Sequence, residues 1–531
     1  MSTRPRAGSG GDGGGGGDVD ERRWWILAVL CVGLLVLVVD NSILNVALPT
    51  IVRELDASNS QLQWMVDAYT IVLAGLLLTA GVVGDRFGRR LALQVGFTVF
   101  GAGSLAAALA GSADVVIGAR AVMGVGAALI MPATLAIITG VFPPAERGRA
   151  IGVWGSTAGA AVVLGPVSGG FLLEHFYWGS IFLVNLPIVA LGLVAGVVLI
   201  PESRDPAAGR LDLVGAATSV VGLSALVFAV IEAPERGWMA AETVIALVVA
   251  AVTLAGFVAW ERREVSPMLD LALFRRPRFT AATLAVTITF FAMFGSFFVV
   301  TQYLQFVLGY EPFETGVRLL PYAVPILVVS PVSPRIAERI GTKATVATGL
   351  VLLAGGLLSA LALDAGSPYG AVAWRLAVMA TGIGLTMAPS TESIMGSLPA
   401  AKAGAGAAVS TTSRMTGGAF GVAIIGSIYA SGYRSGVTDR LAGLPVPPEA
   451  AAAARESIGL GTAVAERVGG TAGDALGAAT RAAFVDGMHS GLAVAGAVAF
   501  AGVLAVLAWL PARQPHARPE PGAAPADQPV A

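Results

Sequence analysis

The chain has 531 residues, 55% of them hydrophobic and only 13% charged, with a mean hydropathy of +0.77 and a formal net charge of −1. That balance excludes a soluble enzyme on a membrane anchor and describes an all-α polytopic membrane protein. A single cysteine, Cys31, excludes an internal disulfide framework; three scattered histidines, His175, His489 and His516, offer no metal site, and no G-x-x-x-x-G-K-[ST] phosphate loop is present.

Residues 1–23 are rich in Gly with arginines at 4, 6, 22 and 23, and read as a flexible cytoplasmic tail. The apolar run behind them is too long for a cleaved signal and lacks a small-residue cleavage site. Apolar runs then recur at 24–50, 61–83, 91–111, 114–140, 150–172, 180–200, 211–232, 241–260, 279–306, 316–334, 344–363, 371–396, 404–430 and 487–510. Runs of this length cross a hydrocarbon core of about 30 Å, so about fourteen spans are expected. An even number puts both termini on one side. Arg147, Arg149, Arg204, Arg210, the stretch from Arg262 to Arg278 and the stretch from Arg335 to Lys343 all fall on the side of Arg86. The positive-inside rule makes that side, and both termini, cytoplasmic.

The expected organisation is a first six-helix bundle over 24–200 and a second over 279–511. Between them, 201–278 holds an inserted helix pair and a mixed apolar and basic linker along the inner surface. Residues 431–486 form a long extracellular connection, either a solvated loop or one or two amphipathic helices marked by Ile458, Leu460, Val464 and Val468. Residues 512–531 are a second flexible cytoplasmic tail.

The stretch Gly81 to Leu93, GVVGDRFGRRLAL, is a short charged turn between two spans, and it returns weakened at Pro334 to Lys343, PRIAERIGTK. Glu338, Arg339, Gly341 and Lys343 answer to Asp85, Arg86, Gly88 and Arg90; every difference, from 338−85 to 343−90, is 253. Two membrane halves related by a repeat mark a secondary transporter with a central site.

Carboxylates inside spans are costly, so they face a cavity or a partner. Asp40 lies within the first span beside Asn41, and Asn45 follows one turn later on the face of Asn41. Asp67 in the second span, Arg120 in the fourth and Glu392 in the twelfth are further intramembrane charges. Asp67, Arg120 and Glu392 can each also be read as anchors near a span end. Span five carries Gly155, Gly159, Gly165, Pro166, Gly169 and Gly170, a spacing that lets helices approach closely.

The turn G-x-x-x-D-R-x-G-R-R, here Gly81, Asp85, Arg86, Gly88, Arg89 and Arg90, resembles the signature loop of the major facilitator superfamily. DNSILNVALP at 40–49, VIGARAVMGVG around Arg120 and the span-five run ending Gly165-Pro166 and Gly169-Gly170 resemble motifs shared by its drug antiporters. With about fourteen spans, the chain is similar to the fourteen-span drug:proton antiporter family of EmrB and QacA type, over roughly 24–510. The resemblance implies two six-helix bundles that rock against each other, plus two inserted helices. On the intramembrane charges, Asp40 is the expected main proton-coupled site, with Asp67 and Glu392 next in line and Arg120 and Arg414 as electrostatic partners.

The second half departs from QacA-like sequences. Leu320-Pro321 is followed by no acid, and Ala408-Val409 is followed by Ser410, Thr411 and, one turn on, Arg414. Fewer counter-charges favour monovalent lipophilic cations or neutral antibiotics over divalent cations. Cavity-wall candidates are Asn41, Asn45, Trp64, Phe290, Phe294 and Tyr303.

The expected function is proton-driven export of small amphipathic drugs or antibiotics across the plasma membrane. The alternative is a dedicated exporter of one metabolite or self-made antibiotic. A channel is disfavoured by the two-half repeat, and a membrane enzyme by the lack of a clustered nucleophile, base or ligand set. Expected partners are a drug-like small molecule, protons and the lipid bilayer, with no nucleic acid, no cofactor and a monomeric state. The topology has a direct check. Cysteine placed by Ala451→Cys in a Cys31→Ala background should react with an impermeant thiol reagent in intact cells; reaction only after lysis overturns the assignment.

Overall fold

The structure, a computed structural model, describes residues 17–55, 59–204, 212–264, 267, 269–399, 402–442 and 446–511. Among them every regular element is helical. The first part of the chain gives α1 (Gly17–Leu55), α2 (Asn59–Phe87), α3 (Arg89–Ala108), α4 (Ala113–Val141), α5 (Pro144–His175), the single turn α6 (Ser180–Leu183) and α7 (Asn185–Leu199). Then come α8 (Leu213–Arg236) and α9 (Ala241–Glu261). The remainder gives α10 (Pro277–Gln302), α11 (Pro312–Arg318), α12 (Leu320–Ile340), α13 (Thr342–Ser359), α14 (Tyr369–Met395), α15 (Ala403–Leu441), α16 (Pro448–Glu456), α17 (Ile458–Val468) and α18 (Gly470–Trp509). Thirteen spans among the described residues are long and apolar enough to cross a membrane, and the 32-residue α5 is a further long helix beside them.

Only helices satisfy every backbone group inside lipid without a neighbour, so an apolar chain of this kind becomes a set of spans. Punctuation in the sequence sets their ends. Proline stands at the first turn of α5 and α10, where its missing N–H is no loss. The Asp212 carboxylate caps α8 by accepting from Gly215 N at 2.8 Å, and it also accepts from the Trp260 indole at 3.0 Å, tying the inserted pair together.

The helices form two bundles that share most of their internal pairings, although α15 also packs on α18, with no comparable contact between α5 and α7 among the described residues. In the first, α3 packs on α4, α2 on α4, α1 on α5, and α7 on α1 and α3. In the second, α13 packs on α14, α12 on α14, α10 on α15, and α18 on α10 and α13. The repeat legible at offset 253 is therefore a repeat of contacts. Each bundle has its own apolar core. The bundles meet along two seams, α2 with α15 and α5 with α12, and the inserted α8 lies along the first of these, touching both α2 and α15.

The stretch 431–486 is mostly helix rather than solvated connection. α15 runs on to Leu441 and α18 already begins at Gly470, with α16 and α17 between them. Tyr433 donates to the Ala454 carbonyl at 2.6 Å and Arg440 pairs with Asp486 at 2.5 Å. Ile458 is buried and Val464 and Val468 pack partly on the core, but Leu460 is exposed, because two residues along a helix rotate by about 200°.

Gly88 separates α2 from α3 at φ 126°, a conformation that side chains rarely adopt. The Glu202 carboxylate fills the space where its Cβ would stand, accepting from Arg90 N at 3.1 Å and Leu91 N at 3.2 Å to cap α3. Gly88→Ala should therefore destabilise the protein by about 1–2 kcal/mol from backbone strain alone. Purified Gly88→Ala should melt several degrees below the unmodified protein, whereas Gly118→Ala, at an open position, should not.

Candidate functional site

Five helices of the first bundle converge on one buried ion pair. Arg120 of α4 is fully buried, and its Nη1 donates to Asp40 Oδ2 of α1 at 2.5 Å. Its Nε donates to the Met65 carbonyl of α2 at 3.0 Å and its Nη2 to Asn41 Oδ1 at 3.3 Å. The guanidinium lies 4.2 Å from the centre of the Tyr69 ring, a cation–π contact within the dry core. The second carboxylate oxygen is held as firmly: Asn185 Nδ2, at the start of α7, donates to Asp40 Oδ1 at 2.7 Å and to Ser104 Oγ of α3 at 2.8 Å. Ser104 in turn donates to the Phe182 carbonyl at 3.1 Å.

A buried ion pair persists only when its remaining donors and acceptors are met, since desolvating each charge costs several kcal/mol. Here the cation has a carboxylate, an amide oxygen and a carbonyl, and the anion has a guanidinium and an amide N–H. Arg120 is thus no anchor at a span end. Asp67, also buried, lies two residues past Met65. Asn185, Ser104 and Tyr69 were not singled out from sequence: each is polar or aromatic in an apolar run, a common pattern, and only packing joins them to Asp40.

The span-five glycines sit directly behind this pair. A Cβ on Gly165 would collide with Ser42, and one on Gly169 would touch Ile43, the residues that follow Asp40 and Asn41 in α1. Gly170 faces open space. The side chains of Asn45 and Pro166, and the surroundings of Gly159, lie outside the described residues.

Met65 and Asp85 are twenty residues apart on α2, which places the Asp40 pair about 30 Å along the helix from the Gly81–Arg90 turn. At the turn end the bundles are clasped. Asp85 binds Arg89 within its own turn at 2.8 Å and accepts from the backbone N–H of Gly404 at 2.8 Å and Ala405 at 3.0 Å, at the positive end of α15. A Cβ on Gly81 would stand 2.6 Å from the Gly404 carbonyl, so glycine permits this approach. On the other seam, Gly152 abuts Ser330 and Pro331, and Gly148 packs on the Glu392 carboxylate. Arg86 lies beside the Phe87 ring at 5.3 Å, and Arg90 reaches the Ile200 carbonyl at 3.3 Å.

Glu392 therefore sits in the seam at the turn end, its charge facing Arg147 of α5 and Arg278 of α10, and is not brought to Asp40. Arg414 of α15 is buried in the second bundle, donating to Thr391 Oγ1 at 2.7 Å, and is likewise separate from the pair. Of the aromatic candidates, Trp64 stacks on Phe228 of α8 with centroids 6.0 Å apart, and Phe290 stacks on Phe294 at 6.0 Å. Tyr303 is wholly buried and its hydroxyl donates to the Asp364 carbonyl at 2.5 Å, which makes it packing for α10 rather than a wall open to solvent.

Comparison with known proteins agrees with this architecture. The chain matches the Major Facilitator Superfamily over residues 30–422. It is 40% identical over 488 residues to the multidrug efflux pump LfrA of Mycolicibacterium smegmatis, covering 92% of this chain and 95% of that one. It is 32% identical over 504 residues to the tetracenomycin C resistance and export protein of Streptomyces glaucescens, covering 94% of each. Among solved structures it superposes on human MFSD10 with a TM-score of 0.60 over 91% of this chain and 99% of that one; at 14% identity this shows the fold alone.

The pair makes a thermodynamic signature. Arg120→Met leaves Asp40 as an uncompensated buried charge and should cost about 3–5 kcal/mol. Replacing both members, Asp40→Leu with Arg120→Met, should recover much of that loss. Thermal melts of the purified single and double variants read the difference, and a double variant no more stable than Arg120→Met would refute the coupling.

Proposed function

The chain belongs to the Major Facilitator Superfamily, and on that footing we propose that it is a proton-coupled efflux antiporter exporting small amphipathic drugs or antibiotics across the plasma membrane. The observation that carries the reading is the fully buried Asp40–Arg120 pair, knit to five helices of the first bundle, in a chain closely related to a multidrug efflux pump. An intramembrane carboxylate is a functional residue by default, because a span would otherwise exclude it.

Proton and substrate must compete for one state of the protein. Protonating Asp40 cancels its charge and removes the ionic hold on Arg120, leaving that cation with the Asn41 and Met65 oxygens and the Tyr69 ring. The change is felt at once by α1, α2, α3, α4 and α7, and through the α1–α5 contact at Gly165 by a helix that forms one seam with the second bundle. Protonation is thereby linked to the way the bundles meet. Asp67 and Glu392 are secondary candidates for the proton, Glu392 through the seam it occupies. Arginines concentrated on the side of the Gly81–Arg90 turn support a topology with that side and both termini in the cytoplasm and α16 and α17 outside. The transporter acts as a monomer.

A second reading, a dedicated exporter of one self-made antibiotic, is favoured by the likeness to the tetracenomycin C resistance and export protein. A susceptibility panel in an efflux-deficient host separates the two by breadth.

Asp40→Asn keeps size and hydrogen bonding but cannot titrate. It should abolish substrate-induced proton release from inverted vesicles while the protein inserts normally, and Asp40→Glu should retain part of the activity. Normal coupled transport by well-expressed Asp40→Asn would move the coupling group elsewhere.

A further inference from the structure

Three arginines are buried among the described residues: Arg89, Arg120 and Arg414. Arg89 is paired with Asp85 and Arg120 with Asp40. Arg414 takes part in none of the ion pairs between described residues. It donates Nη2 to Thr391 Oγ1 at 2.7 Å, while its Nε has no acceptor. The guanidinium carbon lies 5.0 Å from the centre of the Trp154 ring of α5 and 5.4 Å from that of Phe290 of α10. Trp154 is 1% exposed, and its indole N–H is also buried without an acceptor. One turn before Arg414, the fully buried Ser410 hydroxyl has no partner either.

Two neighbouring groups that can only donate, a guanidinium and an indole, therefore share one dry spot on the seam between the bundles. Burying such donors unmet is unfavourable, and burying an unpaired cation is more so. What meets them must accept hydrogen bonds and is best negatively charged. Because two aromatic rings flank the guanidinium, the acceptor is best carried on a flat apolar body. A cation is disfavoured there by like charge.

We propose that Arg414, with Trp154 and Thr391, is a substrate subsite that takes the anionic oxygen of an aromatic carboxylate or phenolate. This rests on the efflux reading and extends its substrates: acidic or zwitterionic aromatic molecules join the lipophilic cations and neutral antibiotics expected from sequence. The subsite draws on both bundles, Trp154 from the first and Arg414, Thr391 and Phe290 from the second. Occupancy is therefore sensitive to the way the bundles meet.

Equilibrium binding tests this apart from transport. The full-length protein in nanodiscs of zwitterionic lipid is titrated calorimetrically with 1-naphthoate and with the neutral 1-naphthalenemethanol. The unmodified protein should bind naphthoate saturably. Arg414→Gln should weaken naphthoate by about ten- to a hundredfold, the range for a charged hydrogen bond, with naphthalenemethanol changed by less than about threefold. Arg414→Lys should restore part of the loss. Trp154→Phe keeps an aromatic face but removes the unmet N–H together with the five-membered ring that carries it; about three- to tenfold weakening is expected, and this variant serves if Arg414→Gln does not fold. No saturable naphthoate binding to the unmodified protein, or equal binding by the variants, overturns the subsite. Proton-driven drug export that persists without naphthoate binding would sink the subsite and leave the efflux reading standing. Naphthoate binding that needs Arg414 in a protein with no coupled export would do the reverse.

Discussion

The structure depends on how a chain with so little tolerance for charge disposes of the charges it keeps inside the membrane. Asp40 and Arg120 show the solution in its fullest form. Neither survives alone in a dry bundle, and each is affordable only because the other lies 2.5 Å away and further partners close the shell. Such a pair is weak as a source of stability but strong as a constraint on geometry. It sets the positions of α1, α2, α4 and α7 relative to one another, and the apolar core of the first bundle packs around that arrangement.

A second constraint governs the seams. Lipid supplies no hydrophobic drive for helix association, so close approach and hydrogen bonding must supply the contact. Small residues provide the approach at Gly81 against Gly404 and at Gly152 against Pro331. Asp85 provides the bond, since the first N–H groups of α15 have no partner within their own helix and carry the positive end of its dipole. The contact is local and polar, at one end of a seam. That suits the proposed antiport, in which the two bundles would separate and rejoin.

The two halves repeat each other in contacts but not in charge. The first bundle contains a closed acid–base pair. In the second, the buried arginine is left among Thr391, Trp154 and Phe290 with donors to spare. A duplicated scaffold with unequal polar content fits the proposed division, in which one half would hold a proton while the other meets a ligand.

Much of this was legible in the sequence because membrane insertion imposes rules on composition. Apolar runs had to be spans, their number followed from length, and the charged turn at Gly81–Arg90 with its echo at Glu338–Lys343 declared two related halves. Asp40 stood out by the cost of its burial alone. Tertiary structure decided what local pattern could not. It joined Arg120 to Asp40 across eighty residues of chain and brought in Asn185, whose partner nothing in its own stretch of sequence discloses. It put Glu392 in a seam instead of beside Asp40, and turned Tyr303 into packing. It also folded most of 431–486 into helices, because contacts such as Tyr433 with Ala454 supply what weak periodicity did not. Periodicity and insertion cost act along the chain and can be read there. Partnership between charges acts through space, and only the packed bundles determine it.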